Sequence, residues 1–310
     1  MKRYILRRTL ISLATLLLIL FILFMLLHFM PGSPFNDEKL SLDQRALLAA
    51  KYGLDQPLFV QFLTYLKNMV TGDFGLSFSI SRDVPVASLL ETRFPLSLEL
   101  GGWAILLGTV VGLIFGSVAA FKQNTIWDTF ATILSVIGVS VPSYVMALAL
   151  SYYFGFKHQW FPILFDLADK SRSLVLPAIS LSLFTMASVA RFTRTEMIEV
   201  LQSDYILLAE SKGVTGFRLF YKHVLRNAAI PILTVLAPLV VGLMTGSLVI
   251  EKIFSIPGIG QLLIQAIQSN DYNVILAISF IYSAMFIGVM FVVDLLYGVL
   301  DPRIHITKGA

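Results

Sequence analysis

Asp204-Tyr205-Ile206-Leu207-Leu208-Ala209-Glu210-Ser211-Lys212-Gly213, followed by Lys222-His223-Val224-Leu225-Arg226-Asn227, forms the centre of a polar and amphipathic stretch from Arg191 to Pro231. Met197, Leu201, Tyr205 and Leu208 recur at three- and four-residue spacing, which predicts one apolar helical face. Gly213 can take the left-handed conformation that ends a helix. Beyond it, Phe217, Phe220, Tyr221, Val224 and Ala228 form a second apolar stripe, while Arg218, Lys222 and Arg226 repeat four apart on another side. The expectation is two short amphipathic helices joined at a glycine, built to dock.

What surrounds this stretch is lipid-soluble. Hydrophobic residues make up 57% of the chain and charged residues 14%, with a mean hydropathy of +0.81. A soluble domain carries about 25% charged residues, so the composition is that of an all-α, polytopic membrane protein. The net charge of +4 does not point to nucleic acid, because the basic residues sort by loop and no aromatic-basic patch is present. The chain has no cysteine, which excludes disulfides, thiolate metal sites and a cysteine nucleophile. Lys2, Arg3, Arg7 and Arg8 before a long apolar run resemble a signal peptide. However, Thr9 to Met30 has no formal charge, and Pro31-Gly32-Ser33-Pro34 replaces a small-residue cleavage site. A retained first span is expected.

Six segments reach the roughly 20 apolar residues that a bilayer crossing requires: about 9–30, 98–121, 129–156, 174–190, 231–250 and 274–296. Pro142 is expected to kink the third. With the amino terminus inside, the inner segments hold thirteen Lys and Arg residues and the short outer loops four (Lys157, Lys170, Arg172, Lys252). That bias predicts both termini and the opening stretch to be cytoplasmic. The expected organisation is a tail and first span (1–30), an outer helical segment (31–97) and a core (98–300), with a cytoplasmic tail (301–310). The core contains the inner loop 191–230 and a re-entrant or interfacial segment 251–273.

The outer segment carries its own helix signals. Ser41 with Gln44 forms a capping-box pattern continued by Leu42, Arg45, Ala46 and Ala49 and ended by Gly53. Pro57 suits the start of a helix in which Leu58, Phe62, Tyr65 and Met69 share a face before Gly72. It is either a lid packed on the spans or a lid that also meets an external partner.

In span two, Gly108, Gly112, Gly116 and Ala120 lie four apart and predict close helix packing. Hydroxyls gather in spans three to five. Ser140, Ser143, Tyr144, Ser182, Thr185, Thr234 and Thr245 either bond to their own helices or line a polar, uncharged pathway. His28, Glu99 and Asp294 lie near span ends and are expected at interfaces, which disfavours a proton-coupled carrier. After span five, Phe254, Pro257 and Gly258 sit at a turn, where they either narrow an outer mouth or pack at the surface.

No HExxH, no GxSxG and no metal-ligand cluster occurs. Lys212-Gly213-Val214-Thr215 does not make a phosphate loop. Uphill transport by this chain would therefore draw its energy from another polypeptide, and the cytoplasmic amphipathic stretch is a reasonable point of entry. A standalone channel or an intramembrane enzyme is the alternative from another class.

The 204–231 stretch resembles the cytoplasmic coupling loop, the EAA motif, of binding-protein-dependent ABC importer permeases. Leu207-Leu208-Ala209 stands at the E-A-A positions and Gly213 at the glycine, so only Ala209 and Gly213 match the general form. The peptide-permease variant matches through Asp204-Tyr205, Ala209, Lys212-Gly213 and His223-Val224-Leu225-Arg226-Asn227-Ala228. Tyr52-Gly53-Leu54-Asp55-Gln56-Pro57, Gly72-Asp73-Phe74-Gly75-Leu76-Ser77, Glu251 to Leu263, Asp271-Tyr272 and Leu300-Asp301-Pro302-Arg303 are similar to further blocks of that family.

The resemblance implies a type I importer permease, B-type, in the bacterial plasma membrane. It implies a second homologous permease subunit, two ABC ATPase subunits that bind ATP and Mg, and an extracellular or periplasmic peptide-binding protein. The chain itself would bind no cofactor or metal and hold no catalytic residue. Asp204, Tyr205, Leu208, Ala209, Lys212, Gly213, Lys222, His223, Arg226 and Asn227 would couple to an ATPase. The solute would be an oligopeptide or dipeptide, with a nickel chelate or another small solute as the alternative within the same architecture.

Overall fold

In a computed structural model of the protein, the described residues are 2–29, 47, 50, 53, 55–244 and 247–300. The expected capping box at Ser41 and Gln44 with the helix after it, Thr245 and the 301–310 tail lie outside them. The described residues contain helices and no strand beyond one isolated bridge, Leu76 with Pro85. Contacts divide the chain into two compact units, Met1–Leu96 with Pro257–Gly288 and Ser97–Ile256 with Val289–Ala310.

The first unit holds α1 (Lys2–Phe29) and α2 (Leu58–Thr71). It also takes the start of α3 (Val86–Phe121), α4 (Ile259–Gln268) and most of α5 (Tyr272–Leu300). The apolar stretch of α1 is only 6% buried, as expected of a helix that offers most of its surface to lipid. Pro57 stands at the N-cap of α2 and Gly72, with φ 78°, ends it. Phe62, Tyr65 and Met69 are buried on one face, packed with Leu20, Phe24 and Leu276. α4 is too short to span and buries Ile259, Leu262 and Ala266 against Val86, Leu90 and Val274.

Two sequence blocks distant in the chain lock together here. Asp271 is fully buried, and its Oδ2 accepts hydrogen bonds from Ser77 Oγ (2.5 Å), Ser79 N (3.0 Å) and Ile80 N (3.1 Å). Asn273 Nδ2 donates to Leu76 O at 2.8 Å, and a Cβ on Gly75 would stand 2.8 Å from that nitrogen. The 72–85 loop is thus tied to the start of α5 by a carboxylate and an amide. Replacing Asp271 with Ala strands two partly buried N–H groups, at about 1–3 kcal/mol in all. The expected result is faster proteolytic cleavage between residues 76 and 83 at an unchanged rate elsewhere.

The second unit is built around α6 (Val175–Leu201), whose spanning window is 78% buried. α6 packs on α7 (Ile126–Ser140), α8 (Ser143–Leu150) and α9 (Arg226–Met244). The expected kink at Pro142 is a full break. Val141 is extended (φ −85°, ψ 121°), as the residue before a proline prefers, and the halves 126–140 and 143–157 diverge by 102°. Among the described residues, five helices are long and apolar enough to cross a membrane, or six if this bent pair is one span.

The helix that holds the fourth predicted span, 174–190, continues beyond it. At 27 residues α6 runs about 40 Å, beyond a hydrocarbon core of roughly 30 Å. Arg191 and Arg194 therefore belong to a rigid helix instead of a loop.

The small residues of span two serve packing, within this chain. A Cβ on Gly112 would lie 2.7 Å from Met186 O, and one on Gly116 2.5 Å from Ala190 O. The α3 and α6 backbones approach closely because nothing projects between them.

Candidate functional site

The amphipathic stretch lies at the end of the second unit where α3 and α6 stop and α7 and α9 begin. Its first helix, α10 (Asp204–Ser211), is separate from α6, because Gln202 and Ser203 form a turn. The period read through Met197, Leu201, Tyr205 and Leu208 is broken at that turn. Met197 is fully buried, whereas Tyr205 and Leu208 are exposed. The face that α10 buries is Ile206 and Ala209, in one cluster with Met197, Ala120, Leu219, Val224 and Ala228. Gly213 has φ +81° with open space around it, so its requirement is conformational. Val214 N returns to Ala209 O at 3.1 Å, which closes the helix end.

The second expected short helix is not a separate element. Gly216–Leu219 and the π-helical turn Phe220–Leu225 run without interruption into α9. The wider turn rotates the register within the predicted stripe. Val224 and Ala228 are buried, Phe220 is half-buried against Phe121 (ring centroids 5.6 Å apart), and Phe217 and Tyr221 project outward. Phe217 and Tyr221 are 78% and 65% exposed and stack nearly parallel, 6.2 Å apart. Leu207, Tyr205 and Leu208 are exposed as well. Asp204, Lys212, Arg218, Lys222, Arg226 and Asn227 are exposed around them, and His223 is half-buried. Asn227 Nδ2 donates to His223 O at 2.6 Å. The segment is therefore two-faced: one side is anchored in its own unit, and the other is an aromatic and aliphatic surface among basic residues. Ala209 belongs to the anchoring side.

Sequence reasoning passed over the strongest electrostatic feature at this end. Asp128, in the first turn of α7, is buried and receives two bonds from the Arg194 guanidinium of α6. They are Nε to Oδ1 at 2.6 Å and Nη2 to Oδ2 at 2.8 Å. Asn124 N adds a third at 2.9 Å. Asp128 also sits where a helix amino terminus favours negative charge. A cavity of about 180 Å³ lies beside the pair, lined by Thr132 and Ser135 of α7 and Arg191 and Thr195 of α6, among others. A polar residue in the first turn of an apolar helix was the available signal.

The structure places the described pathway candidates in two environments, two of them buried in helix packing and four exposed or half-buried. Thr185 is 1% exposed with its side chain against Gly108, and Ser182 is buried and donates to Ile179 O. Both lie in helix packing. Ser140, Tyr144 and Thr234 are exposed and Ser143 is half-buried. Of the residues at the predicted outer turn, Phe254 is 1% exposed, its carbonyl accepting from Phe165 N at 2.8 Å, so its ring faces the interior. Pro257 is exposed and Gly258 buried. Glu99 forms an ion pair with Lys170. Glu251, in the short helix Leu248–Ile253, is completely buried and accepts from Ser97 Oγ at 2.8 Å. Among the described residues no three carboxylates or histidines gather as a metal site.

Helices long and apolar enough to cross a membrane, with a two-faced polar elbow at the end of the second unit, define a helical membrane protein. The fold agrees with solved structures of that class. It resembles one chain of an amino acid ABC transporter crystallised with histidines (TM-score 0.53, 18% identity, 67% of this chain and 92% of that one). It also resembles the inward-facing MetNI methionine ABC transporter (TM-score 0.53, 14% identity, 69% and 96%).

The chain belongs to the binding-protein-dependent transport system inner membrane component family, which matches residues 112–306, with the family's N-terminal region matching residues 1–101. It is a multi-pass protein of the bacterial plasma membrane. Relatives include the dipeptide transport system permease protein DppB of Lactococcus lactis, 43% identical over 99% of this chain and all of that protein. DppB of Bacillus subtilis is 42% identical over 99% of both chains. The oligopeptide transport system permease protein OppB of Salmonella typhimurium is 40% identical over 98% of this chain and all of that protein.

Proposed function

We propose that this chain is a permease subunit of an ATP-driven peptide importer, forming half of a transmembrane pathway and receiving work through the 204–227 segment. The observation that carries the coupling role is the division of that segment into two faces. Ile206, Ala209, Leu219 and Val224 are buried in the chain's own core, while Tyr205, Leu208, Phe217 and Tyr221 remain uncovered. A segment anchored on one side and aromatic on the other transmits force from a partner to the helices it caps.

The partner is one of two ABC ATPase subunits, which bind ATP and Mg. The exposed aromatics enter a groove on it, and Lys222 and Arg226 meet carboxylates or carbonyls at the rim. Because α10 is tied to α3 and α6, and the 216–225 turns are continuous with α9, movement of the docked elbow tilts three spans at once. The basic bias of the inner loops supports a cytoplasmic location. A second homologous permease completes the pathway, and an external peptide-binding protein delivers the solute. Peptide cargo is favoured over nickel chelates because relatives about 40% identical over their whole length are named as dipeptide and oligopeptide permeases.

Gly213→Val forces a β-branched residue to φ +81°, and Arg226→Glu reverses a charge on the uncovered face. Each lowers peptide uptake by about tenfold or more while the amount in the membrane is unchanged, the size expected when an interface anchor worth ~2 kcal/mol is lost. Uptake of labelled di- to hexapeptides, compared with nickel uptake in cells lacking only this chain, is the measurement. Normal uptake in both variants excludes the coupling role, and nickel uptake alone excludes the peptide cargo.

A further inference from the structure

We propose that the concavity formed by α2, the 72–78 loop and the start of α5 is a subsite for the amino-terminal part of a short peptide. The proposal rests on the importer function above, since it takes this segment to face the compartment from which peptides arrive. The cavity measures about 570 Å³, inside the roughly 300–1,000 Å³ of small-ligand sites. Its described walls belong to one compact unit.

The lining has the chemistry of a peptide receptor without preference for side-chain charge. Gln61, Thr64 and Asn68 stand at three- and four-residue spacing on α2, so amides and a hydroxyl run along one wall, with Gln61 Nε2 held by Gln56 O at 2.7 Å. Such groups both donate and accept, as a peptide backbone requires. Phe74 and Phe78 add apolar surface for side chains. Asp73 is the one formal charge among the described lining residues, and Gly75 N–H orients its carboxylate with a bond to Oδ1 at 3.0 Å. A carboxylate at one point of an otherwise uncharged site matches the ammonium group that a free peptide carries at one end.

The walls are held in place. Tyr65 Oη donates to Leu276 O (3.3 Å), tying α2 to α5, and burial pushes its phenol above the ordinary range, so it stays a neutral donor. Asn273 ties the loop to α5 through Leu76 O (2.8 Å). A cavity braced on both sides costs little ordering on binding.

The test is binding of a carboxyl-terminally labelled tripeptide to the complete importer in lipid nanodiscs, with the external binding protein omitted. The free-amine peptide is expected to bind about three- to fivefold more tightly than its amino-acetylated form, the range of an exposed ion pair. Asp73→Asn removes that preference and leaves the acetylated peptide unaffected, and Thr64→Trp, at an exposed position, blocks both. Equal binding of the two peptides to the wild type overturns the proposal, as does tripeptide binding by Thr64→Trp at wild-type affinity. A photo-crosslinker at Thr64 that captures the external binding protein and no peptide overturns it too. Full peptide uptake by Thr64→Trp with the binding protein present removes this subsite and leaves the importer function standing. Absence of uptake by the wild type removes the importer function itself.

Discussion

An Asp128→Ala variant is expected to lose about 3 kcal/mol of stability, because it leaves the Arg194 guanidinium partly buried without its carboxylate. That is the lower end for breaking a buried pair, and it is chosen because the Arg194 side chain keeps 31% of its surface exposed while Asp128 keeps 7%. The bidentate geometry joins α7 to α6 at the end where the elbow is anchored, so the loss is felt at the elbow as well. Thermal unfolding in detergent, followed by the monodisperse fraction on size exclusion, reads it directly. Replacing both partners with apolar residues of similar size (Asp128→Leu with Arg194→Met) is expected to recover most of the loss, since no uncompensated charge remains. If the single variant melts with the wild type, the pair does not hold these helices together.

Gly116→Leu is expected to be worse. Its Cβ alone would lie 2.5 Å from Ala190 O and 2.6 Å from Thr193 Cβ, and ordinary contact begins near 3.4 Å. The α3 and α6 backbones would have to separate by about 0.9 Å before the rest of the side chain is placed. Overpacking of a closed core costs about 1–3 kcal/mol and more where backbone must move. Here the obstacle is a carbonyl on the most buried helix of the unit. The variant should be nearly absent from the membrane fraction, with Gly116→Ala intermediate. Gly102, on the same helix with open space where a Cβ would stand, is the control, and Gly102→Ala should accumulate normally. Equal accumulation of Gly116→Leu and Gly102→Ala contradicts the packing geometry.

Much of the architecture was legible in sequence because its causes are local. A run of apolar residues must form a helix in lipid, where no water can satisfy the backbone, and this marked the spans. Pro57 and Gly72 bounded α2, since each restricts φ in its own way. The glycine ridge of span two announced close packing but not its partner; only the fold shows that the partner is α6 of the same chain. The elbow was legible as amphipathic and docking-shaped. The single apolar face read through Met197, Leu201, Tyr205 and Leu208 is split by the turn at Gln202–Ser203, and the π-helical turn at Phe220–Leu225 shifts the register of the second stripe.

The hydroxyls of spans three to five left both of their readings open for a different reason. A serine or threonine in a span reads the same whether it faces a channel, its own helix or a neighbouring glycine. Thr185 and Ser182 proved to be packing residues only once α3 was placed against α6.

By itself the sequence determined that this chain is a helical membrane protein with an amphipathic elbow whose first helix ends at Gly213. Composition, apolar runs and the special φ of glycine act residue by residue. The tertiary structure decided what each polar group answers to: Asp128 to Arg194, Asp271 to Ser77 and the 79–80 amides, Glu251 to Ser97. Those partners lie 66 to 194 residues apart in the chain. A buried carboxylate is stable only beside its donors, and no local pattern encodes which distant donor the fold will bring to it.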